Sequence, residues 1–298
     1  MAELKSHSQL RQLEKFARRN IPHWIGPTLY VLIAWPRYWY QKYSIQKHTK
    51  KGIGLIFVVG IPKSGSTWVK RMISHLTGYS EIMIPEAVIH SQLNYESHSH
   101  PLPSNTFKRL AKVNAVLKMH IWASQHNIDI IKSDRRKVVV ITRDLRDIAV
   151  SYIFYVQRTS YHSDHRNFRG KSINESLDFF IQHRLEDYVI WVESWKQYAH
   201  EPWCKIYDYS DLLEDTNKVL SEIVAFYSIP ANQQQIEKTV AEHSFSSMAK
   251  KDDAGKDPTS FYRKGVAGDW ESHFTEELHH QFQEKVKDVQ SRLDLKRL

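Results

Sequence analysis

Two periods of apolar and polar residues alternate along this chain. Residues 55–60 (LIFVVG) form a continuous apolar run closed by glycine, and residues 137–142 (KVVVIT) form a second. Runs of that length and β-branched content read as strands buried on both faces of a parallel sheet. Residues 205–209 are a third strand candidate. Between them apolar residues recur at three- and four-residue steps, which predicts helices over 67–76, 144–156, 218–227, 233–242 and 275–291. A longer helix is predicted over 172–200, where Leu177, Phe180, Leu185, Tyr188, Trp191 and Trp195 keep that spacing. Strands alternating with helices predict a three-layer α/β domain, a central parallel sheet flanked by helices. The histidine-rich stretches 90–100 and 161–171 read as loops over the ligand side. Asn174-Glu175-Ser176 matches a glycosylation acceptor pattern but falls at a predicted helix start, where Asn174 is placed to cap.

Composition adds a second feature. The 298 residues are 41% hydrophobic and 12% aromatic, ample for a packed core. The formal net charge is +9, yet residues 1–52 alone carry ten Lys/Arg against Glu3 and Glu14, a formal +8. The rest of the chain is close to neutral, so it lacks the basic folded face that a nucleic-acid binder spreads over its surface. The chain therefore divides into a basic, aromatic N-terminal extension, 1–52, and a domain, 53–298. Within the extension the apolar run 25–35 is too short for a bilayer crossing, which needs about 20 residues. No small-residue cleavage site follows it. Aromatic and apolar residues flanked by Lys/Arg suit either a segment lying in a membrane interface or a strap packed on the domain. The single cysteine, Cys204, excludes an internal disulfide framework and matches a reducing, cytoplasmic setting, with the membrane surface as a candidate location.

The chemistry starts where the first strand ends, at Gly60-Ile61-Pro62-Lys63-Ser64-Gly65-Ser66-Thr67-Trp68. A loop between a strand end and a helix start gathers backbone N–H groups and the positive end of the helix dipole at one point, a geometry that binds phosphate. Against the nucleotide-hydrolysing pattern G-x-x-x-x-G-K-[ST], Gly60, Gly65 and Thr67 are in place, but Ser66 occupies the lysine slot and the lysine sits earlier, at Lys63. This P-loop-like segment suits a nucleotide with a 5′-phosphate better than magnesium-dependent ATP hydrolysis. A P-loop kinase or ATPase is the first alternative, and a non-catalytic nucleotide-binding, membrane-associated protein the second.

PKSGSTW at 62–68 resembles the 5′-phosphosulfate loop of the cytosolic-type sulfotransferases that use 3′-phosphoadenosine 5′-phosphosulfate, usually PKSGTTW. RDLRDIAVSY at 143–152 resembles that family's 3′-phosphate segment, and FYRKGVAGDW at 261–270 its C-terminal loop. The three stand in the family's order. The resemblance implies a P-loop-like fold that moves a sulfuryl group from that donor to an acceptor and releases 3′,5′-bisphosphoadenosine, with no metal. It implies that Lys63, Ser64, Gly65, Ser66 and Thr67 hold the 5′ end. Arg143, Ser151, Arg263 and the backbone of Lys264 and Gly265 would hold the 3′-phosphate. Trp68 and Phe261 would clasp adenine, with Tyr209 and Ser244 at its side; a flat base suits aromatic stacking.

A hydroxyl or amine must lose a proton as it attacks sulfur, and histidine accepts one near neutrality. Composition cannot choose among 17 histidines. Lys118-Met119-His120 follows the family's Lys-x-His pattern, which implies His120 as the general base of an in-line transfer. Lys63 and Lys118 would offset charge growing on the departing oxygen. Met119, Trp122, His243 and Glu271 depart from the family's usual residues, and Met119 and Trp122 fall on the acceptor side. His279-His280 and the histidines of 90–100 lack ligand spacing for zinc. The spacer between Met248 and Phe261 shows no version of the family's dimer motif, so that dimer is not expected. The acceptor-side loops and the apolar extension point to a small-molecule or lipid-like acceptor.

Overall fold

The computed structural model describes residues 26–48, 52–87, 89, 101–159, 162–247 and 264–293. Helix α1 spans Gly26–His48 and precedes strand β1 (Leu55–Gly60), helix α2 (Ser66–Thr77) and strand β2 (Ser80–Ile82). Then come the short α3 (Thr106–Arg109), β3 (Ala115–Met119), α4 (Gln125–Ser133), β4 (Val138–Thr142) and α5 (Leu145–Arg158). The chain continues through α6 (His165–Phe168), α7 (Ile173–His183), α8 (Leu185–Lys196) and β5 (Cys204–Asp208). It ends with α9 (Tyr209–Glu214), α10 (Thr216–Tyr227), α11 (Gln233–Glu242), a 3₁₀ turn at Asp269–Ser272 and α12 (Glu276–Arg292).

The five strands form one parallel sheet in the order β2-β3-β1-β4-β5. Side chains alternate across it as strand geometry requires. Leu55, Phe57 and Val59 of β1 enter one core with Val138 and Val140 of β4 and the large side chains of α5, α7 and α8. Ile56 and Val58, with Val139 and Ile141, enter a second core under α2 and α10. Both faces are covered, which is why these strands read as unbroken apolar runs. The Tyr227 hydroxyl donates to the Phe57 carbonyl and accepts the Val139 N–H, adding a rung where β1 and β4 begin to pair.

Four sequence expectations change. β3 was not foreseen, because Asn114 interrupts its apolar run and Lys118 its end; β2 is three residues long. The helix expected over 172–200 is two helices broken at Arg184, whose φ is −131°. The cause is a side-chain contact: the guanidinium forks onto buried Asp164, Nε to Oδ2 at 2.9 Å and Nη2 to Oδ1 at 2.7 Å. Burial pushes the Asp164 carboxyl up, but Arg184, Asn167 and Tyr152 all donate to it and hold its pKa below the usual range. The cap of α7 is Ser172 in a capping box with Glu175, not Asn174. The stretch 161–171 is partly ordered, since His165 starts α6 and its ring bonds the Val156 carbonyl. The stretch 90–100 lies outside the described residues.

The apolar run of the extension belongs to α1, which packs on the sheet's β2 edge. Ala34, Tyr38 and Ile45 are buried, and the Arg109 guanidinium, itself paired with Glu86, lies 5.5 Å from the Tyr38 ring. Among the described residues no helix is long and apolar enough to cross a membrane.

Removing Arg184 strands a buried carboxylate. Arg184→Ala should lower the unfolding free energy by about 3–5 kcal/mol in urea titration, whereas Arg184→Met with Asp164→Leu should cost less because no charge is left unpaired.

Candidate active site

Parallel strands deliver their C-terminal ends to one edge of the sheet. Val58 of β1 pairs with Lys118 of β3, Val59 with Met119, and Gly60 with Ile141 of β4. The segments after β1, β3 and β4 therefore emerge side by side, carrying the phosphate loop, His120 and Arg143.

The loop turns tightly. Lys63 has φ 70°, a conformation that costs a non-glycine residue about 1–3 kcal/mol. Gly65 has φ 90° and touches Tyr209, where a Cβ would lie 2.6 Å from the ring. The side chains of Ser64 and Ser66 are buried, and the Ser64 hydroxyl has no partner. Helix α2 then starts with no side-chain cap and no acidic residue in its first turn. An uncapped helix start behind a glycine is a ready anion site. Half-buried Thr67 sits in that first turn. The Lys63 ammonium lies 4.4 Å from the centre of the Tyr155 ring.

His120 is pinned from two sides. Its Nδ1 meets the Gly60 carbonyl and its Nε2 lies 2.9 Å from the Lys118 ammonium. A carbonyl only accepts, so Nδ1 carries the ring proton and Nε2 keeps the lone pair. The Trp191 indole donates to the His120 carbonyl at 2.9 Å, and that of Trp195 to the Ile121 carbonyl at 3.0 Å. Lys118 is half-buried: desolvation first, then the charges of Lys70 and Lys63, lowers its pKa to about 7 against the pull of Glu81. A second histidine near Lys63, His162, accepts the Asp164 N–H at Nδ1, and burial lowers its pKa to about 4.

Arg143 ties three segments together. It donates to the Lys63 carbonyl at 3.3 Å and the Val266 carbonyl at 2.9 Å, and its guanidinium lies 4.3 Å from the Tyr209 ring centre. Its Nε is buried with no partner. Buried Asp147, one turn on, lies 3.4 Å from Arg143 and accepts the N–H groups of Gly268 at 2.9 Å and Trp270 at 3.1 Å. The C-terminal loop is thus fastened to the start of α5. Gly265 is seated on Phe245, where a Cβ would lie 2.1 Å from the ring. Lys264 turns its ammonium to Asp269 at 2.6 Å. Ser151 is half-buried on α5.

On the other flank the Trp68 ring meets Tyr209 edge-on at 6.3 Å, and its N–H donates to the His243 carbonyl at 2.7 Å. Ser244 follows directly and shares its hydroxyl with Ser246 and Ser247. Trp68, Tyr209 and Ser244 therefore stand together. Phe261 and Arg263, and with them the spacer after Met248, lie outside the described residues. Sequence reasoning assigned no role to Tyr155, Trp191 or Asp147. Asp147 was visible as a carboxylate inside a cationic motif, but the backbone it fastens, at Gly268 and Trp270, is more than a hundred residues away.

The arrangement can hold a doubly anionic nucleotide beside a basic imidazole. Residues 55–294 match the family model described as a sulfotransferase domain. Sulfotransferase 1E1 of Cavia porcellus is 23% identical over 262 residues, covering 80% of this chain and 86% of that protein. Sulfotransferase 2A1 of Homo sapiens is 22% identical over 258 residues, covering 78% and 85%. Among solved structures, mouse sulfotransferase SULT7A1 complexed with PAP is similar at TM-score 0.60 and 21% identity, covering 87% of this chain and 91% of that one. A retinol dehydratase in complex with androsterone and inactive cofactor PAP is similar at TM-score 0.62 and 19% identity, with 87% of each chain covered.

Replacing Asp147 by Asn puts an N–H₂ group against one of two backbone donors. Amide exchange at Gly268 and Trp270 should accelerate about tenfold or more, the loss of one hydrogen bond to a charged group, while α5 stays protected.

Proposed function

The chain belongs to the sulfotransferase family, and from that premise we propose that it moves a sulfuryl group from 3′-phosphoadenosine 5′-phosphosulfate to a small-molecule or lipid-like acceptor, with His120 as general base. The observation that carries this reading is the tautomer of His120: Nδ1–H faces the Gly60 carbonyl, so the ring's lone pair is on Nε2, where the Lys118 ammonium meets it at 2.9 Å. The acceptor's oxygen or nitrogen forms its bond to sulfur as the bond to the bridging phosphate oxygen breaks, and the acceptor proton passes to Nε2. Lys118 must swing off Nε2 to admit that proton and then stands next to the growing charge. Lys63 supplies a second cation from the phosphate loop. Charge placed in advance is effective there because it costs no reorganisation during the reaction.

The residues fit the donor's two anionic ends. The uncapped start of α2 and the loop of residues 63–67 suit the 5′-phosphosulfate. Arg143, with an unpartnered buried Nε, suits the 3′-phosphate together with Ser151, Arg263 and the backbone at Lys264–Gly265. Trp68, Tyr209, Ser244 and Phe261 form the adenine side. ATP hydrolysis fits poorly, because the residue in the lysine slot, Ser66, is buried under the loop. An acceptor of steroid or retinoid size accords with the ligands named for similar folds, androsterone and retinol. Residues 1–52 are read as an addition to the domain, since the family match begins at residue 55.

Substituting His120→Ala should abolish transfer while calorimetric binding of 3′,5′-bisphosphoadenosine persists; unchanged turnover would remove His120 from the role. Lys63→Ala should weaken both. A labelled-donor screen across phenols, sterols, retinoids, lipids and amines identifies the acceptor.

Lys118 gives a pH signature. Its folded pKa of about 7 means it is charged below that pH and neutral above it. With subsaturating donor, kcat/KM should fall as pH rises through about 7, approaching about tenfold per pH unit. In Lys118→Met that limb should vanish and kcat should drop.

A further inference from the structure

Helix α1 has two apolar faces. Ala34, Tyr38 and Ile45 recur at steps that keep one face on the domain, and Gln41 between them holds the Met83 N–H. Leu32, Trp35, Trp39, Tyr40 and Tyr43 recur at three- and four-residue steps about half a turn away. All five are exposed, Leu32 at 66%, Trp39 at 56% and Tyr43 at 68%. A surface helix normally turns its polar residues outward, and one that is apolar all round is covered on every side. This outward face is covered by nothing among the described residues.

We propose that this face of α1 docks the protein on an anionic lipid bilayer. Three observations select that occupant. The stripe is built mainly from Trp and Tyr, whose apolar rings and polar tips suit the headgroup boundary. Cations border it on both sides: Lys42 lies 5.3 Å from the Trp39 ring and Arg37 is half-buried on the other edge. No Asp or Glu occurs anywhere between Glu14 and Glu81, whereas α1 itself carries Arg37, Lys42 and Lys47, so the segment offers an anionic surface no repulsion. The helix is anchored to the domain through Tyr38, Arg109 and Glu86, so it lies on the surface with its inner face already occupied, the geometry of an interfacial helix. The inference does not depend on which acceptor the enzyme uses.

The test is sedimentation of the full chain with vesicles of phosphatidylcholine alone or mixed with phosphatidylserine, at low and high salt. Binding should be about tenfold or more stronger to the mixed vesicles and should weaken with salt. Brominated phospholipid should quench tryptophan emission. The triple variant Leu32→Ser, Trp39→Ser, Tyr43→Ser should lose at least about tenfold in binding and most of the quenching. It should keep its far-ultraviolet circular dichroism and its 3′,5′-bisphosphoadenosine affinity, which separates lost docking from lost folding. Four results would overturn the proposal: no vesicle binding by the full chain; vesicle binding that the triple variant retains; binding that appears only after residues 1–24 are removed, which would make that segment the cover; or a lipid-free dimer that the triple variant dissociates, which would make the cover a second copy.

Discussion

The parallel pairing of β3 and β4 on either side of β1 is the constraint on which the rest depends. Parallel register brings three strand ends to one edge, and the pairs Val59 with Met119 and Gly60 with Ile141 bring them there level. Only then can the carbonyl that ends β1 receive the imidazole that follows β3. That single bond decides which nitrogen of His120 is basic. It also joins the phosphate loop to the base, so that movement of one displaces the other. A shift by one residue would turn Lys118 to the opposite face of the sheet and break the arrangement.

Cations are concentrated at this edge, and the fold manages their repulsion in two ways. Arg143 is held by carbonyls of two loops and by the buried carboxylate of Asp147. Asp147 uses its other lone pairs to fasten the backbone at Gly268 and Trp270. Arg143 and the backbone at Gly268 and Trp270 are thus positioned by the same side chain. Lys118 is treated differently: burial beside other lysines brings its pKa to about 7, where its charge state is easily moved. A polyanion arriving at this edge would favour the charged form, so donor binding and the readiness of Lys118 are coupled by electrostatics alone.

The Asp164 cluster plays a structural counterpart away from the reacting groups. Arg184, Tyr152 and Asn167 converge on one buried carboxylate, and the backbone breaks the helical path at Arg184 to permit it. Tyr152 lies on α5, next to Ser151, so the cluster holds that helix in place. Helix α1 solves another problem, using one apolar face for the domain and leaving the other for a partner.

Much of this was legible in the chain, because the signals were local. The runs at 55–60 and 137–142, the loop between Gly60 and Trp68, and the segments at 143 and 261 each carry their message within a dozen residues, since strand burial and phosphate binding are set by neighbouring backbone. Together they determine an α/β domain and its family. The strand that carries Lys118 was missed because a five-residue strand flanked by Asn114 and interrupted by a lysine has no distinctive period; it exists because β1 and β2 lie on either side of it. The break at Arg184, the role of Asp147 and the tautomer of His120 likewise arise from groups tens to more than a hundred residues apart. Their energies are paid by contacts that only the folded chain creates, and no local pattern encodes them.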